Sequence, residues 1–209
     1  MNIIRFKKLL RNHFENGFSF YFILLFVFIV GIILGAIIIK AIDPKVQIGI
    51  LKLSSPYYYT IFNKGFSRYK IFKTSVVFNI FFVGLTYILG ILNLGIFIPI
   101  LIILKGGFLG FNVGYLIFNF GWKGFLVSVF GIYPQYLLYI PCIIIIGALS
   151  MTISFKYKLS SKKRVVKIKR LDFIDYTVFI LFFTFITIIG SLYEGFLSPT
   201  FLKLINVLL

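Results

Sequence analysis

The chain has 209 residues, of which 60% are hydrophobic and only 13% are charged, and its mean hydropathy is +1.05. A soluble domain is about 45–50% apolar and about 25% charged, so this composition excludes a water-soluble globular protein. The net charge is +17. Because the basic residues flank apolar segments, we interpret this charge as contact with anionic lipid head groups and not with nucleic acid. We expect a single all-α membrane domain over residues 1–209.

The N-terminal segment, residues 1–17, is basic and has apolar residues at helical spacing. This pattern is typical of a short amphipathic helix on a membrane surface. The apolar run at residues 18–39 is too long for a signal-peptide core and suits a first transmembrane helix. Gly31 and Gly35 lie four residues apart near its end, a spacing that allows close helix packing, although glycines in a lipid-facing helix are the alternative.

The interval at residues 41–73 mixes Lys and Arg with Tyr and Phe. This mixture suits the head-group layer of a membrane. We expect a surface helix at about residues 47–66, and a second span at about residues 74–92.

The third span, at about residues 96–118, carries a charge and a regular glycine stripe. Lys105 interrupts an apolar run, and Gly106, Gly110 and Gly114 recur every fourth residue. Residues at this spacing share one face of a helix. In lipid, such a bare face predicts close packing with a neighbouring helix.

The segment between the third and fourth spans is too short to cross a membrane. It covers residues 119–133 and contains Trp122, Lys123 and Gly124. We expect an interfacial or re-entrant half-helix that starts at Trp122.

The fourth span is predicted at about residues 134–155. Pro134 and Gln135 stand at its start, and Pro141 lies within it. A proline inside a helix removes a backbone hydrogen bond, so we expect a kink at Pro141.

Residues 156–170 form a loop with many basic and no acidic residues. The positive-inside rule places such a loop in the cytoplasm. With five spans, the last at about residues 173–194, the N-terminus is then cytoplasmic and the C-terminus extracytoplasmic. Glu194 closes the fifth span, and Pro199 breaks the chain after it.

Lys105 and Glu194 are the two charges to weigh within the spans, where a charged side chain costs a few kcal/mol unless it is paired. One interpretation is an ion pair that joins the third and fifth spans. The other, which we favour, is that Lys105 extends towards the head groups while Glu194 sits at the outer interface.

No catalytic, cofactor or metal constellation is evident in the sequence. The spans contain no histidine, no HExxH, GxSxG or P-loop motif, and no paired carboxylates at mid-depth. The only cysteine, Cys142, lies in an apolar run, and the only histidine, His13, has no ligand partner nearby. We therefore expect no catalytic residue, no cofactor and no bound metal.

Three stretches together resemble the stage II sporulation protein M family. They are KGGFLGFNVGYLIFNFGWKGFLVSVFGIYPQ at residues 105–135, YIP at residues 139–141 and YEGFLSP at residues 193–199. The resemblance marks as motif positions Lys105, Trp122, Lys123, Gly124, Pro134, Gln135, Pro141, Glu194 and Pro199.

The resemblance implies a multi-pass cell-membrane protein of endospore-forming bacteria that acts in engulfment. It implies a non-enzymatic scaffold that holds two peptidoglycan hydrolases, stage II sporulation proteins D and P, at the sporulation septum. The glycine faces would then be docking surfaces for the membrane anchors of these partners. The alternative is a subunit of a small-molecule or lipid transporter, with polar groups at mid-depth. The sequence leaves the oligomeric state open.

Overall fold

The computed structural model describes the backbone of residues 3–54, 67–163 and 170–200, and side chains within residues 18–53, 67–155 and 173–200. Regular structure in these ranges is helical, without strands, and this confirms the all-α prediction. The α-helices are α1 Ile3–Ile38, α2 Pro44–Ser54, α3 Arg68–Ile91, α4 Ile98–Val127, α5 Tyr133–Lys163 and α6 Arg170–Phe196. Short 3-10 turns lie at Ile39–Ala41 and Gly95–Phe97, and a π-helical turn lies at Ser128–Ile132.

Four helical stretches in the described part of the chain are long and apolar enough to cross a membrane. They are Phe18–Ala41, Arg68–Ile91, Gly95–Phe155 and Phe173–Thr200. The third stretch has 61 residues and turns back on itself at Gly121, so it supplies two crossings. The arrangement is that of a helical membrane protein with five crossings.

The chain enters the bundle as one uninterrupted helix, because α1 runs from Ile3 to Ile38 without a break. The amphipathic segment expected at residues 1–17 is therefore continuous with the first span, and its side chains lie outside the described residues. The surface helix expected at residues 47–66 is described as α2, Pro44–Ser54, and residues 55–66 lie outside the described part.

The side chain of Gln47 fixes α2 against the end of the first span. Its Nε2 donates to the carbonyl oxygens of Ile39 and Ile42, each at 3.0 Å. Carbonyls at the end of a helix have no partner within that helix. The Gln47 amide supplies the hydrogen-bond donor that these carbonyls lack, which explains why a glutamine is buried here.

A tight turn joins α3 to α4. Asn93 adopts a left-handed conformation with φ 61°, which asparagine tolerates better than most residues. The Gly95 amide donates to Ser154 Oγ of α5 at 2.8 Å, so the turn is held against the end of a third helix. Pro99 lies in the first turn of α4, where a missing N–H has little effect.

A sharp reversal at Gly121 separates the third span from the helix that follows. Gly121 has φ 56° and ψ −131°, a conformation that a residue with a Cβ rarely adopts. After the reversal, a Cβ on Gly124 would collide with the Leu116 carbonyl, so the two arms approach very closely here. The half-helix expected from Trp122 is helical, but it leads directly through the π-turn into α5.

The π-turn has a direct cause in Pro134. In an α-helix the carbonyl of Phe130 would accept a bond from residue 134, but proline has no N–H. The helix widens, and the Tyr133 amide donates to Ser128 O, five residues back. The Tyr193 hydroxyl of α6 donates to the Phe130 carbonyl at 2.7 Å. Farther along, α5 remains one helix from Tyr133 to Lys163 although Pro141 lies within it. The kink expected at Pro141 stays a prediction.

α5 is the central helix, because it contacts α1, α3, α4 and α6. α1 lies along α4 in the same direction, with Phe28 beside Gly106 and Ala36 beside Gly114. α3 lies along α6. α3 and α4 follow each other in the chain but make few direct contacts, so a cleft opens between them.

Candidate functional site

Four helices bring polar side chains together inside the bundle. Ser75 and Asn79 lie one turn apart on α3, and both are buried. Ser75 Oγ donates to Glu194 Oε2 at 2.6 Å, and Asn79 Nδ2 donates to Ser191 Oγ at 3.0 Å. Ser191 and Glu194 are three residues apart on α6, so polar faces of two helices meet.

Tyr139 of α5 joins the same group. Its hydroxyl donates to Glu194 Oε2 at 3.1 Å and lies 3.2 Å from both Ser75 Oγ and Ser191 Oγ. Gly190 makes room for the Tyr139 ring, because a Cβ at this position would collide with ring atom Cε1. The Glu194 carboxylate, only 4% exposed, thus receives two hydrogen bonds from neutral hydroxyls.

Lys105 reaches this group from α4. Its Nζ donates to Asn79 Oδ1 at 3.4 Å and lies 5.2 Å from the centre of the Phe82 ring. A cation above an aromatic face is stabilised by about 0.5–2 kcal/mol. We call the six residues the polar cluster: Ser75, Asn79, Lys105, Tyr139, Ser191 and Glu194.

Lys105 and Glu194 are connected through other side chains. Among the described residues they form no direct ion pair, and Asn79, Ser75 and Ser191 bridge them. Neither alternative from the sequence describes this arrangement, because Glu194 is enclosed by α3 and α5 instead of lying at the interface. Lys105 is partly buried within the bundle.

The cleft between α3 and α4 opens onto this cluster. It has a volume of about 230 Å³, and Asn79, Lys105, Tyr139 and Glu194 supply its polar lining. Its other lining residues are apolar or aromatic: Leu53, Phe78, Phe81, Phe82, Leu85, Leu101, Leu104, Phe108 and Tyr136. The result is a largely apolar wall around a polar floor.

The glycine stripes join α1 to α4. A Cβ on Gly31 would collide with the Ile103 carbonyl, and one on Gly35 with the Gly107 carbonyl. From the opposite side, a Cβ on Gly110 would collide with the carbonyl of Ile32, as one on Gly106 would with that of Phe28. A Cβ on Gly114 would lie 3.2 Å from Ala36 Cα. The two backbones therefore pack directly against each other.

This packing corrects the docking role expected for the glycine faces. The five glycines, Gly31, Gly35, Gly106, Gly110 and Gly114, approach atoms of the same chain. A surface already covered by a helix of its own chain is not available to a partner's anchor. The physical reason is simple: two complementary glycine faces in one chain pack on each other.

The remaining motif positions lie next to the reversal at Gly121, within α5 and just after the end of α6. Trp122 and Lys123 are exposed, and the Trp122 ring stacks on Phe125 with 5.0 Å between centroids. Gln135 is buried, and its Oε1 has no hydrogen-bond partner among the described residues. Pro141 is exposed, and Pro199 is buried beyond the end of α6.

The polar cluster contains four residues that the sequence analysis did not single out: Ser75, Asn79, Tyr139 and Ser191. Ser75 and Asn79 are spaced by four, and Ser191 and Glu194 by three. Polar pairs at these spacings within apolar spans mark one helix face. That signal identifies both polar faces, but it does not say that they face each other.

The described residues contain no group of three or more His, Cys, Asp or Glu side chains that could hold a metal ion. Cys142 is buried and not in a disulfide. The polar cluster itself offers hydrogen-bond donors and acceptors and one pair of oppositely charged groups, Lys105 and Glu194.

Five membrane crossings around a buried Lys–Asn–Ser–Tyr–Glu network define a polytopic helical membrane protein with an intramembrane polar site. The family model of stage II sporulation protein M matches residues 24–199, which include all six residues of the cluster. The chain belongs to this family and is a sporulation-related membrane protein. Comparisons with curated proteins and with solved structures gave no match.

Proposed function

We propose that this protein is a non-enzymatic scaffold that recruits the peptidoglycan hydrolases stage II sporulation proteins D and P to the septal membrane during engulfment. The observation that carries the proposal is the family match over residues 24–199. The match spans every crossing except the start of the first. What the resemblance implies for the family therefore extends to the whole bundle.

The bonding of Glu194 supports a structural and not a chemical role for the polar cluster. Both hydrogen bonds to its carboxylate come from helices α3 and α5, which it thereby ties to α6. Glu194 therefore acts as a cross-link among three crossings.

We propose that the N-terminus is cytoplasmic and the C-terminus extracytoplasmic, at the sporulation septum. The start of α1 and the end of α5 lie at the same end of the bundle, since Leu24 is beside Gly147 and, farther towards that end, Phe20 stacks on Phe155. The described backbone at residues 3–17 and 156–163 therefore lies at one end, and the basic composition of these segments favours the cytoplasmic side under the positive-inside rule.

A labelling experiment tests this orientation. Single cysteines are introduced at Trp122 and at Ser160, in a Cys142→Ala background, and are probed with a membrane-impermeant maleimide. We expect labelling of Trp122→Cys in intact cells, and labelling of Ser160→Cys only after the membrane is opened. The reverse pattern contradicts the orientation.

The recruitment proposal is tested by capture from detergent. The wild-type chain, tagged at one terminus, is incubated with the membrane-anchored form of each hydrolase. A matched sample of each hydrolase without its membrane anchor is the control. We expect retention of the anchored form only; equal retention of both forms, or of neither, contradicts recruitment through the membrane.

A second candidate function is a transporter subunit, and one observation favours it. Lys105 and Glu194 both line an opening that reaches the interior of the bundle. Intramembrane charges often mark substrate pathways. Reconstituted protein that moves a solute or lipid across liposomes without any partner would support this candidate against the scaffold.

A further inference from the structure

Lys105 has more hydrogen-bond donors than the described part of the chain uses. A lysine ammonium carries three donor hydrogens. The structure provides one oxygen acceptor, Asn79 Oδ1, at the long distance of 3.4 Å, together with the face of Phe82. Lys105 also lines the cleft between α3 and α4. The floor of the cleft therefore offers donors to a group that enters it.

The depth of Lys105 limits what that group can be. Lys105 is ten residues beyond Gly95, or about 15 Å along the helix at 1.5 Å per residue. This is the middle of a hydrocarbon core about 30 Å thick. Lipid phosphates lie in the head-group layer, far from this depth. A side chain on a membrane-spanning helix brings an oxygen there easily, because the helix satisfies its own backbone.

The size of the cleft also favours a side chain from a membrane-spanning helix. Pockets that enclose a whole small ligand typically have about 300–1,000 Å³. The cleft has about 230 Å³. It suits a side chain that reaches in from an adjacent helix better than a complete solute. The aromatic walls, which include Phe81 and Phe108, provide apolar contact for the rest of such a helix.

Charge balance defines the chemistry of the entering side chain. Glu194 also lines the cleft and already opposes the charge of Lys105. A ligand therefore needs an acceptor oxygen but no charge of its own. A carboxamide meets this requirement, whereas a carboxylate would add an unbalanced negative charge.

We propose that the α3–α4 cleft is the docking site for a transmembrane helix of a partner protein, whose Asn or Gln side chain near mid-membrane accepts a hydrogen bond from Lys105. The inference rests on the proposed function in one respect, that the partner is membrane-anchored. It assigns recognition to Lys105 and the phenylalanine walls, and not to the glycine faces.

The test uses synthetic transmembrane peptides as the probe. Three Leu–Ala helices of equal length carry Asn at the centre, Leu at the centre, or Asn two turns nearer one end. Binding to the labelled full-length protein in liposomes is measured by energy transfer. We expect the central-Asn peptide to bind on the order of tenfold more tightly than the other two, as interhelical hydrogen bonds in membranes allow.

Two variants separate Lys105 from the general basicity of the chain. Lys105→Met is expected to abolish the preference, so that the central-Asn and central-Leu peptides bind with about equal affinity. Lys73→Met removes an exposed lysine of α3 outside the cleft and is expected to retain the preference. The displaced-Asn peptide tests the depth requirement on wild-type protein, so the experiment remains decisive even if Lys105→Met does not fold.

Equal binding of the central-Asn and central-Leu peptides overturns the proposal. So does a Lys105→Met variant that keeps the preference, or one that loses bound anionic phospholipid while its peptide binding is unchanged. The capture experiment tests the scaffold proposal separately. If wild-type protein captures neither hydrolase, the scaffold proposal is contradicted, and the peptide assay still tests whether the cleft binds a transmembrane helix.

Discussion

Ser75 and Glu194 are 119 residues apart in the chain, yet the Ser75 hydroxyl donates to the Glu194 carboxylate at 2.6 Å inside the membrane bundle. This bond joins α3 to α6, and Tyr139 extends it to α5. A buried carboxylate is costly in hydrocarbon unless hydrogen bonds satisfy it. The placement of Glu194 is therefore a property of three helices together.

Replacing Glu194 with Gln tests the strength of this cross-link. Hydrogen bonds to a charged group contribute about 1.5–3 kcal/mol and neutral ones about 0.5–1.5. We expect Glu194→Gln to lower the free energy of unfolding by about 2 kcal/mol. The measurement is a denaturant titration in detergent micelles. Asp175→Asn, on the same helix outside the cluster, is the control, with an expected change below about 1 kcal/mol; equal losses for the two variants would contradict the cross-link.

Alanine substitutions at Gly110 and Gly84 should differ in their effect on stability. A Cβ on Gly110 meets the Ile32 carbonyl, whereas nothing lies within 4 Å of a Cβ on Gly84. We expect Gly110→Ala to destabilise the fold by about 1–3 kcal/mol through overpacking. Gly84→Ala should be neutral or stabilising by up to about 1 kcal/mol, because glycine disfavours helices. Thermal unfolding in micelles measures both, and a stabilising Gly110→Ala would contradict direct α1–α4 backbone packing.

The reversal at Gly121 predicts that neither alanine nor asparagine is accepted there. At φ 56° and ψ −131°, the backbone lies outside the left-handed helical region that asparagine tolerates. We expect Gly121→Ala and Gly121→Asn each to cost about 1–3 kcal/mol in unfolding free energy. The same micelle titration measures the loss. An asparagine variant as stable as wild type would show that an ordinary turn replaces this conformation.

The π-turn predicts coupling between Pro134 and Tyr193. In wild type, Tyr193→Phe removes the hydrogen bond to the Phe130 carbonyl and should cost about 1 kcal/mol. In a Pro134→Ala background, the new amide at position 134 can bond that carbonyl. Tyr193→Phe should then have a smaller effect. A double-mutant cycle by thermal unfolding measures the coupling, and strictly additive losses would contradict this account of the turn.

The class of fold could be predicted from the sequence because hydrocarbon imposes so strong a demand on composition and span length. The helical class was predicted, and the apolar runs marked the five crossings. The sequence also predicted that a new helical segment starts at Trp122, and the structure places the reversal next to it, at Gly121. The π-turn at Ser128–Ile132 could not be predicted, because a π-turn changes the backbone hydrogen-bond pattern and leaves the hydrophobicity of the segment almost unchanged.

The polar cluster was only partly predictable. Lys105 and Glu194 were identified because charges are rare in spans. Their geometry was not, because distance along each helix ignores how α3 inserts Asn79 and Ser75 between them. The glycine spacing predicted close helix packing but not its partner helix. A single sequence gives the face of a helix, whereas the neighbour depends on the whole bundle.

The turn at Ser128–Ile132 has a bearing on how the chain tolerates changes in length. Each residue advances an α-helix by about 100°. A π-turn contains one residue more than an α-helical turn, so it can lose that residue while the helix on either side keeps its register. Deleting a residue between Tyr133 and Tyr139 would instead rotate Tyr139 by that angle and carry it away from Glu194. We expect natural insertions and deletions to accumulate instead in residues 41–73 and 156–170.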